Sequence, residues 1–261
     1  MTIPHVLVTG ANRGIGAAIA HALAADGWRV TLAGRSLEAL EHTRAALPCT
    51  GDAEHQCIAL DVADPASITA GFAEASRRAG PLHALVNNAG AIETGPTQRF
   101  PLEALRRMID VNLTGVFLCT QAALGDLRKA RSAGLSGRIV NIASTAAQKG
   151  YPFTAAYATA KHGVIGFTRS LALELASTGI AVNAVCPGYT DTDIIRDGVA
   201  KLVEKTGRSE EDSLKTFTQA NPMLRLVRPE EVAETVRWLL REAPLTITGQ
   251  AISVSGGEVT A

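Results

Sequence analysis

The chain has 261 residues, 46% hydrophobic and 19% charged, with 25 Lys and Arg against 25 Asp and Glu. That length and composition suit one large α/β domain with a full core and exclude a disordered chain. The charges balance and no Lys/Arg cluster is interleaved with aromatics, which argues against nucleic acid as a main partner.

The four cysteines, Cys49, Cys57, Cys119 and Cys186, form no C-x-x-C pair and no zinc spacing with the six histidines. They read as free thiols in a reducing compartment. No basic region precedes the first apolar run, so a signal peptide is not expected. No apolar run approaches the roughly 18 residues of a membrane span. The expectation is a cytoplasmic protein with no membrane partner and no metal site.

His5-Val6-Leu7-Val8 reads as a buried strand. It leads into Thr9-Gly10-Ala11-Asn12-Arg13-Gly14-Ile15-Gly16 and then a helical pattern of Ile19, Ala20 and Leu23. Strand, glycine turn and helix is the context of a dinucleotide-binding turn. The glycines let backbone approach a pyrophosphate, and the helix N-terminus supplies N–H donors and a positive dipole end. The second strand, residues 29–33, ends in Gly34-Arg35-Ser36. An acid at that place would hold the ribose 2′-OH of NAD. Arg35 would instead pair with a 2′-phosphate, and Arg13 could add a second cation. NADP is therefore favoured, with NAD as the alternative.

Ser36 is placed to cap a helix to residue 47. A third strand at 56–60 runs into Asp61-Val62. Pro65 opens a helix with Ile68 and Phe72 inward. A fourth strand at 83–86 precedes Asn87-Asn88-Ala89-Gly90, small residues and amides suited to tight packing beside a ligand. A long helical region begins near Phe100 and runs through Asn112, an amide in an apolar setting that needs partners, to residue 127. Arg128, Lys129, Arg131 and Arg138 read as a solvated helix end.

A fifth strand at 139–142 places Ser144 at its carboxyl end, where open α/β sheets bind ligands. The pattern after Ala155 is helical, so Tyr157 and Lys161, four residues apart, share a face. A free Tyr holds its proton to a pKa of about 10. A fixed positive charge nearby lowers that value and makes the pair a general acid/base. A sixth strand at 180–185 turns at Cys186-Pro187-Gly188. Residues 193–223 form an insert longer than ordinary βα connections. It carries two short helices, near 194–205 and 210–219, and is a candidate substrate lid. Its cations Lys201, Lys205, Arg208, Lys215, Arg225 and Arg228 are either a solvated face or a dock for phosphates or an acidic carrier. A helix from Pro229 and a last strand at 251–254 follow. The alternation predicts a doubly wound parallel sheet with helices on both faces.

Over nearly its whole length the chain resembles the short-chain dehydrogenase/reductase family. The marks are Thr9-Gly10-x-x-x-Gly14-Ile15-Gly16, Asp61-Val62, Asn87-Asn88-Ala89-Gly90, Asn112, Ser144, Tyr157-x-x-x-Lys161 and Pro187-Gly188. The resemblance implies a single Rossmann-like dinucleotide-binding domain over 1–261 and a homo-oligomer, tetramer or dimer. It makes Tyr157 the proton donor in ketone reduction, and Lys161 the group that lowers its pKa and holds the nicotinamide ribose. Ser144 would hydrogen-bond the reacting oxygen, and Asn112 would support a water relay. Asp61 and Val62 would meet the adenine, and Asn88, Ala89 and Gly90 the adenosine side. Pro187, Gly188, Thr190 and Thr192 would hold the nicotinamide end. Residues 137–144, 161–168 and 182–188 look like those of 3-oxoacyl-thioester reductases and aromatic polyketide ketoreductases. The implied substrate is a small-molecule ketone or alcohol, carried on CoA or acyl carrier protein, with an oxidative 3-hydroxyacyl dehydrogenase as the alternative. A non-catalytic dinucleotide-binding module, which would be expected to lack Tyr157 or Lys161, is the remaining one. The tail departs from the family, with Val254-Ser255-Gly256-Gly257 in place of Val-Asp-Gly-Gly.

Overall fold

In the computed structural model, which describes residues 3–51, 53–132 and 137–260, the apolar runs become parallel strands. They are β1 (His5–Thr9), β2 (Arg29–Gly34), β3 (Gln56–Ala59), β4 (Ala84–Asn87), β5 (Gly137–Ile142), β6 (Ile180–Pro187) and β7 (Ala251–Val254). The sheet order is β3-β2-β1-β4-β5-β6-β7, and every pairing is parallel. Strands covered on both faces need continuous apolar runs rather than alternation. Val6, Leu7 and Val8, and Val182, Ala184 and Val185, meet that need and are fully buried.

Helices α1 (Gly14–Ala25) and α9 (Pro229–Arg241) cover one face, through Ile19, Leu23, Val232, Val236 and Leu240. On the same side α2 (Leu37–Ala45) contributes Leu40. The other face is covered by α3 (Pro65–Ala79), α5 (Gly115–Ser132) and α6 (Ala155–Leu175), through Ile68, Phe72, Ala123, Leu127, Leu171 and Leu175. The chain winds outward from β1 to β3, then crosses back to β4 and winds the other way. The reversal falls between β1 and β4, where an open α/β sheet forms a ligand crevice at its carboxyl ends.

The long helical region is one run of α4 (Leu102–Ile109), a π turn (Asp110–Thr114) and α5. Contrary to the expectation from unbroken apolar runs, Leu102–Ala130, 29 residues with a window of mean hydropathy 1.2, is long and apolar enough to cross a membrane. Its apolar side chains are interleaved with polar ones, so no unbroken run marks it. Met108, Val116, Cys119, Ala123 and Leu127 point into the core. Arg138 also departs from its reading as a solvated cation. It is buried on β5 and donates to Leu239 O at 2.7 Å, while the Arg131 side chain lies outside the described residues. The insert forms α7 (Asp193–Thr206) and α8 (Glu210–Thr218). Ser209 Oγ caps α8 by accepting from Asp212 N–H at 3.1 Å.

At the amino ends of the strands, opposite the crevice, His5 is buried. Its ring meets Gly80 O at 2.8 Å through Nδ1 and Thr31 Oγ1 at 2.7 Å through Nε2, and its N–H donates to His83 Nδ1 at 2.8 Å. Thr31 Oγ1 also accepts from Gln56 Nε2. A neutral Nδ1–H ring satisfies all these contacts, with Thr31 O–H donating to Nε2. Burial pulls the His5 pKa from 6.5 down to about 4. The folded pKa lies below the unfolded one, so the unfolded chain binds the extra proton between the two values. Stability is full above pH 6.5 and declines as pH falls toward 4. We expect a loss of about 3 kcal/mol across that window from this ring. Urea unfolding of wild type and His5→Gln between pH 7 and 4.5 checks it, and parallel stability curves would refute it.

Candidate active site

The carboxyl ends of β1, β4, β5 and β6 supply the loops of the crevice. After β1 the glycine turn is so tight that Gly10 and Gly16 cannot carry side chains. A Cβ on Gly10, whose φ is +64°, would fall 2.9 Å from Ala89 Cα. One on Gly16 would fall 2.2 Å from Gly10 O and 2.5 Å from Asn88 Nδ2. Asn88 holds this turn from β4. Its Nδ2 donates to Thr9 O at 2.9 Å and Gly10 O at 3.0 Å, while Thr9 Oγ1 accepts from the N–H groups of Asn88 and Ala89. The Asn88 amide thus braces the turn and leaves backbone to face a ligand. Gly14 lies against Thr192, whose Cγ2 would be 3.1 Å from a Cβ there. Asn12 lies beside Gly34 at the end of β2.

Arg35 follows Gly34, is exposed, and has no partner among the described residues. Arg13 is exposed too, and its Nη1 reaches Asp193 Oδ2 at 3.4 Å, a link from the glycine turn to α7. Asp61 Oδ1 accepts from Ala63 N–H at 2.9 Å, and Val62 packs beneath Gly115. Three of the six cations near the insert are already paired: Lys215 with Glu211 and Asp212, Arg225 and Arg228 with Glu231.

Helix α6 carries Tyr157 and Lys161 into the crevice one turn apart. Lys161 is buried, and its Nζ donates to Ile142 O at 2.7 Å, 5.8 Å from the centre of the Tyr157 ring. Burial pulls this ammonium down to about 8, with Cys186 opposing. The same burial pushes the Tyr157 phenol above its usual 10, and the Ser144 hydroxyl hydrogen-bonded to it pulls the other way. The lowering expected from Lys161 is not what the structure gives. Its Nζ is turned to a carbonyl rather than to the phenol, and desolvation dominates. Tyr157 therefore holds its proton at neutral pH.

Ser144 Oγ accepts from Ala146 N–H at 3.1 Å and so caps the 3₁₀ turn Thr145–Ala147. Its own proton is left for donation. Asn112 sits in the π turn, where Gly115 N–H reaches back to Asp110 O. Its Nδ2 donates to Met108 O at 3.0 Å and Ala91 O at 2.9 Å, and its Oδ1 accepts from Ala91 N–H at 3.2 Å. A Cβ on Gly90 would fall 2.9 Å from Asn112 Oδ1 and 3.7 Å from Lys161 Nζ, so these groups surround one point. Thr190 and Thr192 use their hydroxyls on backbone, donating to Gly188 O and Thr190 O.

Sequence reasoning missed two features here. Cys186 is buried beside Lys161 and Ser144, and burial pushes its thiol up to about 11, so it stays neutral. Tyr151 and Glu258 meet next to Thr145; a tail glutamate 113 positions away from Thr145 (258 minus 145) gives no local signal.

The sequence model of the short chain dehydrogenase family matches residues 4–202. A Streptomyces violaceoruber protein assigned as ketoacyl reductase 1 of the granaticin polyketide synthase is 42% identical over 260 residues, covering 97% of this chain and 92% of its own. The 3-oxoacyl-(acyl-carrier-protein) reductase of Synechocystis sp. is 39% identical over 261 residues, covering 99% and 98%. The crystal structure of an actinorhodin polyketide ketoreductase variant with NADPH matches at a TM-score of 0.89 and 38% identity, covering 98% of this chain and 97% of that one.

Proposed function

The chain belongs to the short chain dehydrogenase family, and we propose that it reduces a ketone, a 3-oxoacyl thioester, to the hydroxy compound with NADPH. The observation that carries this reading is the convergence of Tyr157, Ser144, Lys161 and Asn112 beside the glycine turn. The turn fits a dinucleotide. Packing that only glycine permits at Gly10 and Gly16 brings the turn directly into the N-terminus of α1, whose N–H groups and dipole favour a pyrophosphate. Arg35 has no competing acid among the described residues and suits a 2′-phosphate, and the exposed Arg13–Asp193 pair is weak enough to leave Arg13 for the same task. Bound NADPH supplies the hydride.

The chain's own groups handle orientation and the proton. Tyr157, protonated at neutral pH, gives its proton to the carbonyl oxygen, the direction that reduction requires. Ser144 donates to the same oxygen as charge develops there. Lys161 holds a buried positive charge beside the phenol and is placed for the nicotinamide ribose. Asn112 fixes the backbone near Lys161 and supports a water relay. Asp61 and Val62 are assigned to the adenine, Asn88 to Gly90 to the adenosine side, and Pro187, Gly188, Thr190 and Thr192 to the nicotinamide end. The relatives above support reduction over the oxidative alternative, and a chain that keeps all four groups gives no support to a non-catalytic module.

We read the protein as a homo-oligomer from its exposed apolar side chains on α4 to α6, Leu102, Phe117 and Leu173, the last 82% exposed. Mass measurement in solution should give a dimer or tetramer, and a monomer would contradict it. Tyr157→Phe should lower turnover of acetoacetyl-CoA by about 10²–10⁴-fold while NADPH still binds; retained activity would sink the mechanism. Arg35→Asp should weaken NADPH on the order of tenfold or more and favour NADH. An unchanged preference in titrations of both cofactors would remove Arg35 from the site.

A further inference from the structure

After β7 the chain turns back on itself. Glu258 N–H donates to Ser255 O at 3.2 Å, and Gly256, with φ of +62°, lets the tail pass so close to Asn221 that a Cβ would fall 2.0 Å from its Oδ1. The turn drives the Glu258 side chain inward until it is 1% exposed. Its Oε1 accepts from Tyr151 O–H and pairs with Lys149 Nζ at 3.2 Å. Lys149 also lies 4.9 Å over the Tyr151 ring. The Tyr151 oxygen is 2.7 Å from Thr145 Oγ1. A carboxylate only accepts, so the Tyr151 proton goes to Glu258 and the Thr145 hydroxyl donates to Tyr151. The chain of bonds has one direction, Thr145 to Tyr151 to Glu258.

The other carboxylate oxygen, Oε2, is buried without a partner among the described residues. It abuts Gly188, where a Cβ would fall 2.9 Å away. The carboxylate thus sits between two turns: the one after β5, which it reaches through Tyr151 and Thr145, and the one after β6, which begins at Gly188. A buried carboxylate oxygen without a donor is costly. An apolar side chain of similar size would fill the space without that cost, so stability alone does not account for a glutamate there. Tyr151 also meets the edge of Tyr189 at 6.0 Å, and Tyr189 meets Phe217 of α8 at 5.2 Å. The insert and the tail therefore both converge on Tyr151.

We propose that Glu258 and Tyr151 are positioning residues for the reaction, holding the Ser144–Thr145 turn so that the Ser144 hydroxyl stays aimed at the Tyr157 phenol. This rests on the reductase reading for its kinetic effect but not for its effect on Tyr157. The test uses Glu258→Leu, Glu258→Gln, Tyr151→Phe and the Glu258→Leu/Tyr151→Phe double variant. With acetoacetyl-CoA and NADPH, Glu258→Leu and Tyr151→Phe should each lower kcat on the order of tenfold at unchanged NADPH affinity. The double variant should be no worse than either single one, since both break the same chain. Glu258→Gln keeps an acceptor for Tyr151 and should restore most of the rate. Independently of turnover, the Tyr157 titration, read by ultraviolet difference against Tyr157→Phe in each background, should move to higher pH in Glu258→Leu. A wild-type protein inactive on every ketone would defeat the reductase reading while leaving this titration to decide the positioning role. An unmoved titration overturns the proposal, as does a variant that melts early yet keeps wild-type kcat, or single effects that multiply in the double variant.

Discussion

Lys161 carries an ammonium into the interior, and its Nζ donates to Ile142 O at 2.7 Å, a bond between α6 and the end of β5. A buried ammonium needs acceptors, because low local dielectric makes an unpaired charge expensive. The acceptor here is a strand carbonyl two residues before Ser144. The same bond therefore ties α6 to the end of β5. Tyr157, one turn earlier on α6, is set against Ser144 by that tie, while Val164, Thr168 and Leu171 below it seat the helix on the sheet. The spacing of Tyr157 and Lys161 has meaning only because strand and helix are locked at this depth.

Amides do the second layer of this work. Asn87 Nδ2 reaches Asn141 Oδ1 and Thr120 Oγ1, and Asn141 Nδ2 reaches Thr168 Oγ1, a buried polar ladder across β4, β5, α5 and α6. Asn88 takes the carbonyls of Thr9 and Gly10, and Asn112 those of Ala91 and Met108. Loops at the carboxyl ends of parallel strands leave main-chain groups without ladder partners, and buried ones must be satisfied. Side chains that satisfy them from below keep the upper surface as bare backbone. That arrangement is what a crevice for a phosphate-rich ligand requires.

The doubly wound parallel sheet and the shared face of Tyr157 and Lys161 on α6 were legible because each rests on short-range signals. Apolar runs, glycine turns and a spacing of four residues are written in neighbouring positions. The roles of Asn88 and Arg138 were not, since each depends on what a distant segment presents. The direction in which burial moves the Tyr157 phenol was not legible for a related reason. Spacing shows that an ammonium is near, but not that its donor is turned to Ile142 O or that burial outweighs it. The π turn at Asp110–Thr114 also left no mark, because one extra residue in a helical repeat shifts the pattern less than ordinary sequence variation does.

The insert shows how unequal anchoring shapes the mouth of the crevice. Its base is pinned by the Thr190–Val227 bridge, by Val227 N–H on Tyr189 O, and by Asn221 packed against Gly256. Toward the glycine turn an exposed ion pair joins it, Arg13 with Asp193 at 3.4 Å, and pairs of that kind contribute about 0–1 kcal/mol. Around the rim Phe153 and Leu224 are exposed and hold φ of 65° and 53°, a region that side-chain-bearing residues seldom adopt. Strain of that kind persists only where the surroundings impose it. Here the surroundings are the Gly95 N–H bond to Phe153 O and the Leu224 N–H bond to Asn221 O. Two apolar side chains, 63% and 70% exposed, are thereby kept in solvent. Walls held by hydrogen bonds at Ser144 and Gly188 thus stand beneath an insert whose anchoring is concentrated at its base.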